Sequence, residues 1–255
     1  MVATGPFQTP YVPAAAQRLD ASVTQLHTSE YRNPQDVPEG PVLIVGGGNS
    51  GLQIAQELAV TRRVDVSMAE KPPMLPQRLL GRDLFWWLTA VGVMRLNTGT
   101  RIGRRLQARG EFVIGTSRRR LDKTGVTFHP ALVDADLDTV HFADGAELGV
   151  STVIWAAGYR PDYSWIHIPG VVRDGHAAHR RGVTDVPGLY FFGLTWQHTR
   201  GSALLGFVNA DAIHLAGQIA SHHTARSAQA APDRPTSTIG PTGTHQGPPN
   251  IASTT

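Results

Sequence analysis

Three glycines, Gly46, Gly48 and Gly51, stand in the spacing G-x-G-x-x-G within Gly46-Gly47-Gly48-Asn49-Ser50-Gly51. That spacing carries chemistry only between a strand and a helix. There the first glycine permits a tight turn, the second lets the backbone approach a pyrophosphate, and the third lets the helix pack close to the strand. The N–H groups at the helix start, around Asn49 and Ser50, then face an anion along the helix dipole. The flanking residues supply the context. Val42-Leu43-Ile44-Val45 is a β-branched apolar run ending in glycine, as a buried parallel strand does. From Asn49 to Val60, apolar side chains at Leu52, Ile54, Ala55, Leu58 and Ala59 fit a helix packed on a sheet. Val64 to Met68 reads as a second strand, completing a βαβ unit. The implied ligand is a nicotinamide dinucleotide, NADP or NAD. The weaker alternative is a glycine-rich turn with no ligand.

The end of the second strand holds two candidates that conflict. Glu70 follows Gly51 by 19 residues, close to the ~20 at which an acid holds a ribose 2′-hydroxyl in NAD sites. Lys71 beside it suits a 2′-phosphate, with Arg62 and Arg63 near in sequence. Arginines 101, 104, 105, 109, 118, 119 and 120 form either a solvated helix face or the approach of the phosphates. The pairs His176/His179 and His222/His223 come without a carboxylate or cysteine cluster, so they read as surface histidines and no metal site is assigned. Trp86 and Trp87 suit a core or a partner surface. No catalytic acid or base can be named.

Other segments carry a resemblance. Ala3-Thr4-Gly5 matches the ATG motif that links the domains of two-dinucleotide flavoproteins, and Ala156-Ala157-Gly158-Tyr159-Arg160-Pro161 matches its second copy. Gly188 to Leu194, followed by Trp196-Gln197-His198-Thr199-Arg200-Gly201-Ser202, looks like the segment that returns to the flavin. Together, over about residues 1 to 222, the chain resembles class B flavin-containing monooxygenases, especially bacterial relatives of the YUCCA and cation-efflux-associated type. The resemblance implies an α/β, Rossmann-type two-dinucleotide-binding flavoprotein layout with FAD and NADP (or NAD) as cofactors. It implies hydride transfer from NADPH to FAD, then oxygen activation on a small-molecule substrate. It also assigns Thr4, Gly5, Ala157, Gly158, Gly193, Gly201 and Ser202 to the flavin side. Gly201 and Ser202 are expected to open a helix whose N–H groups face the flavin, with His198 and Arg200 as neighbouring polar groups; a capped helix start with a satisfied histidine is the alternative.

The chain departs from that pattern in three places. Family members begin with their own G-x-G-x-x-G for FAD and carry F-x-G-x-x-x-H before the first ATG, and neither is found here. Ala157 stands where threonine is usual. The expectation is therefore an incomplete FAD domain, truncated at its N-terminus. Residues 1–40 would be an inter-domain segment, 41–150 the NAD(P)H-binding domain, 151–225 the C-terminal part of the FAD-binding domain and 226–255 a disordered tail. The expected partner is a missing N-terminal FAD-binding portion or a second copy of the chain. The alternative function is a non-enzymatic or split-subunit NAD(P)H-binding module.

Several elements must position these residues. The 255 residues allow one large domain or two modest ones. The net charge of +3 comes without a nucleic-acid recognition motif, so no nucleic acid is expected. With no cysteine there is no dithiol, which removes a thioredoxin-reductase-like rival. The N-terminus lacks the pattern of a signal peptide. The longest apolar stretch, Leu84 to Met94, falls short of the ~20 residues of a membrane span, so a cytoplasmic location is expected. Residues 1–40 read as proline-rich loop with one short strand. Further helices are expected at 82–94 and from Gly201 to His222, a hairpin at Asp144-Gly145, and buried strands at Val153–Ala157 and Leu189–Phe192. The last two would lack sheet neighbours and expose an edge.

Overall fold

A computed structural model describes residues 1–108, 110 and 112–230. Its centre is a parallel sheet. The strands of the two main sheets are β1 (Thr24–His27), β2 (Val42–Val45), β3 (Val64–Ser67), β4 (Thr127–His129), β5 (Leu132–Asp136), β6 (Thr139–Phe142), β7 (Glu147–Gly149) and β8 (Thr152–Trp155). The helices are α1 (Asn49–Leu58), α2 (Leu84–Ala90), α3 (Arg101–Ala108), α4 (Arg118–Lys123) and α5 (Asn209–Ala230). The five-stranded sheet has the order β1-β8-β2-β3-β4, every neighbour parallel. Parallel strands need crossovers, and α1 and α4 supply them on either side of β3. The three-stranded meander β5-β6-β7 is antiparallel, with Gly145 at φ 84° in the tight turn expected at Asp144-Gly145.

Alternation along β2 sends its side chains into two cores. Val42 and Ile44 join Leu52, Leu58, Val66, Leu121 and Ile154 on the face that α1 and α4 cover. Leu43 and Val45 join Val153, Trp155, Val140 and Phe142 beneath the meander. A third, smaller core gathers Val2, Tyr163, Val171, Phe191 and Leu194 under the segments that carry the two ATG-like motifs.

The expected α/β Rossmann-type layout is present, with corrections to particular elements. The short strand expected in residues 1–40 is β1, the edge of the sheet. The strand near Val153 is not exposed: β8 is paired on both sides, by β1 and β2, and all four of its residues are buried. Leu189–Phe192 is not a strand. It forms only single bridges, Val2 with Phe191 and Val183 with Tyr190, because Gly193 at φ 79° turns the chain before a ladder can extend. The helix expected over 82–94 is α2, and Gly92 at φ 76° breaks it before a short 3-10 turn at Val93–Arg95. The helix expected from Gly201 begins only at Asn209; residues 201–208 are turns, with Gly201 pressed against the Phe207 side chain. It runs on to Ala230 through a stretch with good helix formers at Ala225, Arg226 and Ala228, so residues 226–230 are helical, while 231–255 lie outside the described residues. Among the described residues no helix is long and apolar enough to cross a membrane.

The packing of α1 is open to a direct check. Leu52 is fully buried on its inner face, whereas Val60, just past its end, is 77% exposed. Leu52→Ala should cost about 2–5 kcal/mol and Val60→Ala less than about 0.5 kcal/mol, read as shifts in the urea midpoint. Equal shifts would show that α1 does not pack on the sheet in this way.

Candidate functional site

The three glycines of the turn have different surroundings. Gly46 follows β2 at φ 127°, and its N–H donates to the Ser67 carbonyl at 2.8 Å. A side chain there would strike the Ala156 backbone. At Gly51 a Cβ would collide with the Gly46 carbonyl and lie 2.9 Å from the Ala156 Cβ. Gly48 differs: nothing lies within 4 Å of where its Cβ would be. It caps α1 with no side-chain hydrogen bond, and Ser50, two residues on, is exposed. The first and third glycines are thus consumed by packing, and the second faces open space, the cradle that a pyrophosphate needs. The residues fit a dinucleotide.

Asn49 does not face that space. Its Nδ2 donates to the Phe112 carbonyl at 2.9 Å, and its Oδ1 accepts from the Ile114 N–H at 2.8 Å. Thr116 Oγ1 donates to Gln56 Oε1 at 3.0 Å. Residues 112–116 are thereby pinned along α1, and the chain beyond them passes beside the end of β3. There a cleft of about 560 Å³ is lined by Met68, Lys71, Pro72, Met74, Ser117, Arg118 and Arg119. Lys71 lines it; Glu70 is exposed and does not. Arg62 and Arg63 precede β3 and sit at its other end. Arg62 donates to the Pro34 and Pro38 carbonyls, and Arg63 pairs with the buried Asp65 at 3.2 Å.

The flavin-side candidates fall into two groups. Gln8 Nε2 donates to Thr4 Oγ1 at 3.0 Å and to the Gly5 carbonyl at 2.8 Å, while its Oε1 accepts from the Asp162 N–H at 2.8 Å. This one side chain ties the first ATG-like motif to Asp162, the residue that follows the second. Gly158, at φ 84°, offers its carbonyl to Tyr11 N–H and to His27 Nε2–H. Ala157 precedes it, half-buried. Gly5, Gly158 and Gly193 each adjoin residues that line a cavity of about 490 Å³, among them Pro6, Phe7, Tyr159, Tyr163, Leu194 and Trp196. A neighbouring cavity of about 980 Å³ shares His179 and Trp196 with it and adds Arg180, Arg181, Gln197 and His198.

Gly201 and Ser202 behave otherwise and correct the expectation. They open no helix. Gly201 N–H donates to the Met94 carbonyl at 3.3 Å. Ser202 is fully buried; its Oγ accepts from His198 and Thr199 N–H and donates to Asp211 Oδ2 at 2.6 Å. Asp211 is also paired with Arg181 Nε at 3.1 Å. These groups satisfy one another and leave no N–H for a ligand. A buried donor that sequence reasoning missed is Gln197 Nε2, which has no partner among the described residues and belongs to a side chain lining the larger cavity. Its Oε1 is fixed by the Leu194 N–H at 3.2 Å. Trp196 beside it holds φ 56°, a strained value for a bulky residue of the kind that gathers at binding sites. Only the three-dimensional placement exposes this donor. An acceptor-rich group such as a flavin dinucleotide fits Gln197 and the guanidinium-lined walls, and does not fit Gly201 or Ser202.

His179 and His198 are both held below the usual imidazole range, His179 by burial, and His198 by burial first and then by the Arg181 guanidinium. His179 Nδ1 accepts from the Gly182 N–H at 3.2 Å, which leaves its proton on Nε2. A depressed histidine binds fewer protons folded than unfolded, so its contribution is present above the unfolded pKa of 6.5 and is lost as the pH falls below it. The urea midpoint should therefore drop between about pH 7 and about pH 5, and less so in His179→Gln. A wild-type midpoint that rises on acidification would contradict the assignment. The glycine turn gives a sharper check. Gly48→Val should abolish nicotinamide dinucleotide binding in calorimetry at an unchanged melting temperature, while Gly51→Val should lower the melting temperature itself. Full binding by Gly48→Val would show that the turn is no cradle.

The profile of the family described as pyridine nucleotide-disulphide oxidoreductase matches residues 1–193. A protein named uncharacterized oxidoreductase CzcO-like, from Geobacillus kaustophilus, is 43% identical over 224 residues, covering 87% of this chain and 64% of its own. The indole-3-pyruvate monooxygenase YUCCA1 of Oryza sativa is 26% identical, covering 86% of this chain and 61% of its own. A solved flavin-containing monooxygenase from Stenotrophomonas maltophilia has the same fold, with a TM-score of 0.59 at 23% identity over 89% of this chain and 62% of that one. The chain thus spans a little under two thirds of the length of these relatives. The resemblance read from its motifs is borne out, and the chain belongs to the pyridine nucleotide-disulphide oxidoreductase family, with a fold shared by flavin-containing monooxygenases.

Proposed function

We propose that the chain acts as an NAD(P)H-dependent flavoprotein oxidoreductase of monooxygenase type, with FAD as second cofactor and a small molecule as substrate. The observation that carries the reading is the open backbone at Gly48 between two glycines that packing has closed. The absence of cysteine keeps dithiol chemistry out of the chain's own residues, which favours the monooxygenase branch over disulphide reduction.

Hydride donation to a flavin and the activation of oxygen there are the chemistry that the two cofactors supply when bound. The chain's residues bind and orient. The turn at Gly48 and the start of α1 hold the pyrophosphate, and the cleft off β3 receives the adenosine end. Gln8 fixes the two ATG-like loops against each other, so that the first cavity keeps its shape between the nucleotide sheet and the third core. Gln197 Nε2, His179 Nε2 and the Arg180 guanidinium offer donors to an acceptor-rich ligand in the larger cavity.

The test is an absorption spectrum of the 255-residue chain titrated with FAD, followed by oxygen uptake on addition of NADPH. A bound flavin spectrum with NADPH-dependent oxygen consumption supports the proposal. Tight binding of NADPH with no flavin bound at any concentration would replace it with a nucleotide-binding module. Binding of neither cofactor would end it.

A further inference from the structure

We propose that the hairpin of Arg78–Leu79 and Arg82–Asp83, together with the first turn of α2, is a peripheral membrane-binding surface that lays a leucine tip and the Trp86 ring into the headgroup boundary of an anionic bilayer. This surface is independent of the cofactors. Its centre is a two-residue turn. Leu79 pairs with Arg82, and the residues between them, Leu80 and Gly81, hold φ 50° and 77°. A turn of that kind favours asparagine or aspartate before glycine, because a short polar side chain tolerates the left-handed backbone and leucine does not. Leu80 is nevertheless 83% exposed, and Leu79 beside it 46%. One residue thus carries both a strained backbone and an unburied apolar side chain, and packing within the fold offsets little of either.

The neighbouring side chains are arranged around that tip. Leu84 N–H donates to the Gln77 carbonyl at 2.8 Å and closes the base of the hairpin. Trp87 Nε1 donates to the Leu79 carbonyl at 2.9 Å, which fixes α2 against it. Trp86 stands edge-on to Trp87 at 4.7 Å and is 45% exposed, and the Arg82 guanidinium lies 4.2 Å from the centre of its ring. Asp83 is the single acid between residues 78 and 105, against six arginines. Its carboxylate is already engaged, by the Phe85 N–H and by Gln77 Nε2. The hairpin therefore presents leucine, indole and guanidinium together. At a bilayer the apolar tip enters the acyl boundary, the indole rests at headgroup level, and the guanidinium meets lipid phosphate.

Charge selects this turn over another of the same shape. Leu137, in the β5–β6 turn, is also an exposed leucine with a left-handed backbone, 63% exposed at φ 54°. Its neighbours in sequence are Asp136 and Asp138, which an anionic surface repels. The two tips are alike in apolarity and in strain. They differ in what flanks them, and only Leu80 has arginines there. The hairpin is also coupled to the rest of the chain: the Phe85 ring lies 6.3 Å from Phe207, and the Met94 carbonyl accepts from Gly201 N–H. A surface held in this way meets the bilayer preformed.

The experiment is co-sedimentation of the 255-residue chain with vesicles of phosphatidylcholine alone and of phosphatidylcholine mixed with phosphatidylglycerol, for the wild type and for Leu80→Asn, Arg82→Gln and Leu137→Asn. The wild type should bind the mixed vesicles and not the neutral ones, and high salt should release it. Leu80→Asn gives the turn its preferred residue and so keeps the fold, yet should weaken binding about tenfold. Arg82→Gln should weaken it about fivefold, and Leu137→Asn should leave it unchanged. Circular dichroism and light scattering verify the fold and the particle mass of each variant. Equal sedimentation with the two kinds of vesicle, sedimentation with neither, or a loss in Leu137→Asn as large as in Leu80→Asn overturns the proposal. If Leu80→Asn lowers the particle mass while vesicle binding stays, the tip is a contact between copies of the chain, and the membrane surface is refuted.

Discussion

Gly51 has no room for a side chain because the Gly46 carbonyl and the Ala156 methyl already fill that space. This close approach joins three parts of the chain. Gly46 ends β2, Gly51 lies in the first turn of α1, and Ala156 follows β8, which enters the sheet from more than 100 residues downstream in sequence. Only small residues allow the helix to start so near the sheet. Because it does, the first N–H groups of α1 emerge at the sheet's carboxyl edge rather than over its face. The dipole of α1, the open backbone at Gly48 and the cleft off β3 all take their positions from that contact. The second ATG-like motif contributes to the nucleotide turn through packing, since its first alanine forms the floor beneath Gly46.

The parts of this arrangement legible in the sequence are those governed by local pattern. The run Val42–Val45, the glycine spacing and the apolar face of α1 each depend on residues a few positions apart, and the structure has them where the pattern puts them. What could not be read is non-local. The place of β8 between β1 and β2 is set by pairing across most of the chain, and four fully buried residues look alike whatever sheet receives them. Asn49 suits a phosphate-facing helix start by type, yet its amide is spent on backbone 63 and 65 residues away. The choice between Glu70 and Lys71 was likewise closed to sequence. Both residues are exposed, the chain bends at Ala69 and Glu70, and only its path after that bend brings Lys71 to the wall of the cleft.

A second limit shows at residues 198–211. Serine after glycine at the head of an apolar periodic stretch reads as a helix start, and Ser202 does accept backbone N–H groups as a cap would. The chain nevertheless turns until Asn209, because Ser202 serves a different partner. Its hydroxyl proton goes to Asp211, a carboxylate almost wholly removed from water. A buried charge with only one neutral partner would be costly, and the Arg181 guanidinium completes it. The network therefore draws the 198–202 loop back against the first turn of α5, and the helix can begin only after that loop has closed.

That closure bears on how the flavin side can work. With Ser202, Asp211 and Arg181 committed to one another, the loop between Leu194 and Arg200 is held from behind by charge-assisted bonds, and the strain at Trp196 persists because its surroundings are fixed. The Gln197 side chain is clamped through its oxygen alone, so its amide nitrogen lies buried beside Gly182 and unpaired among the described residues. A buried N–H without a partner costs on the order of 1–3 kcal/mol, and a chain retains that cost most readily where a ligand atom removes it. The polar residues that first suggested a flavin contact thus act one layer away, as the support that keeps a neighbouring donor in place.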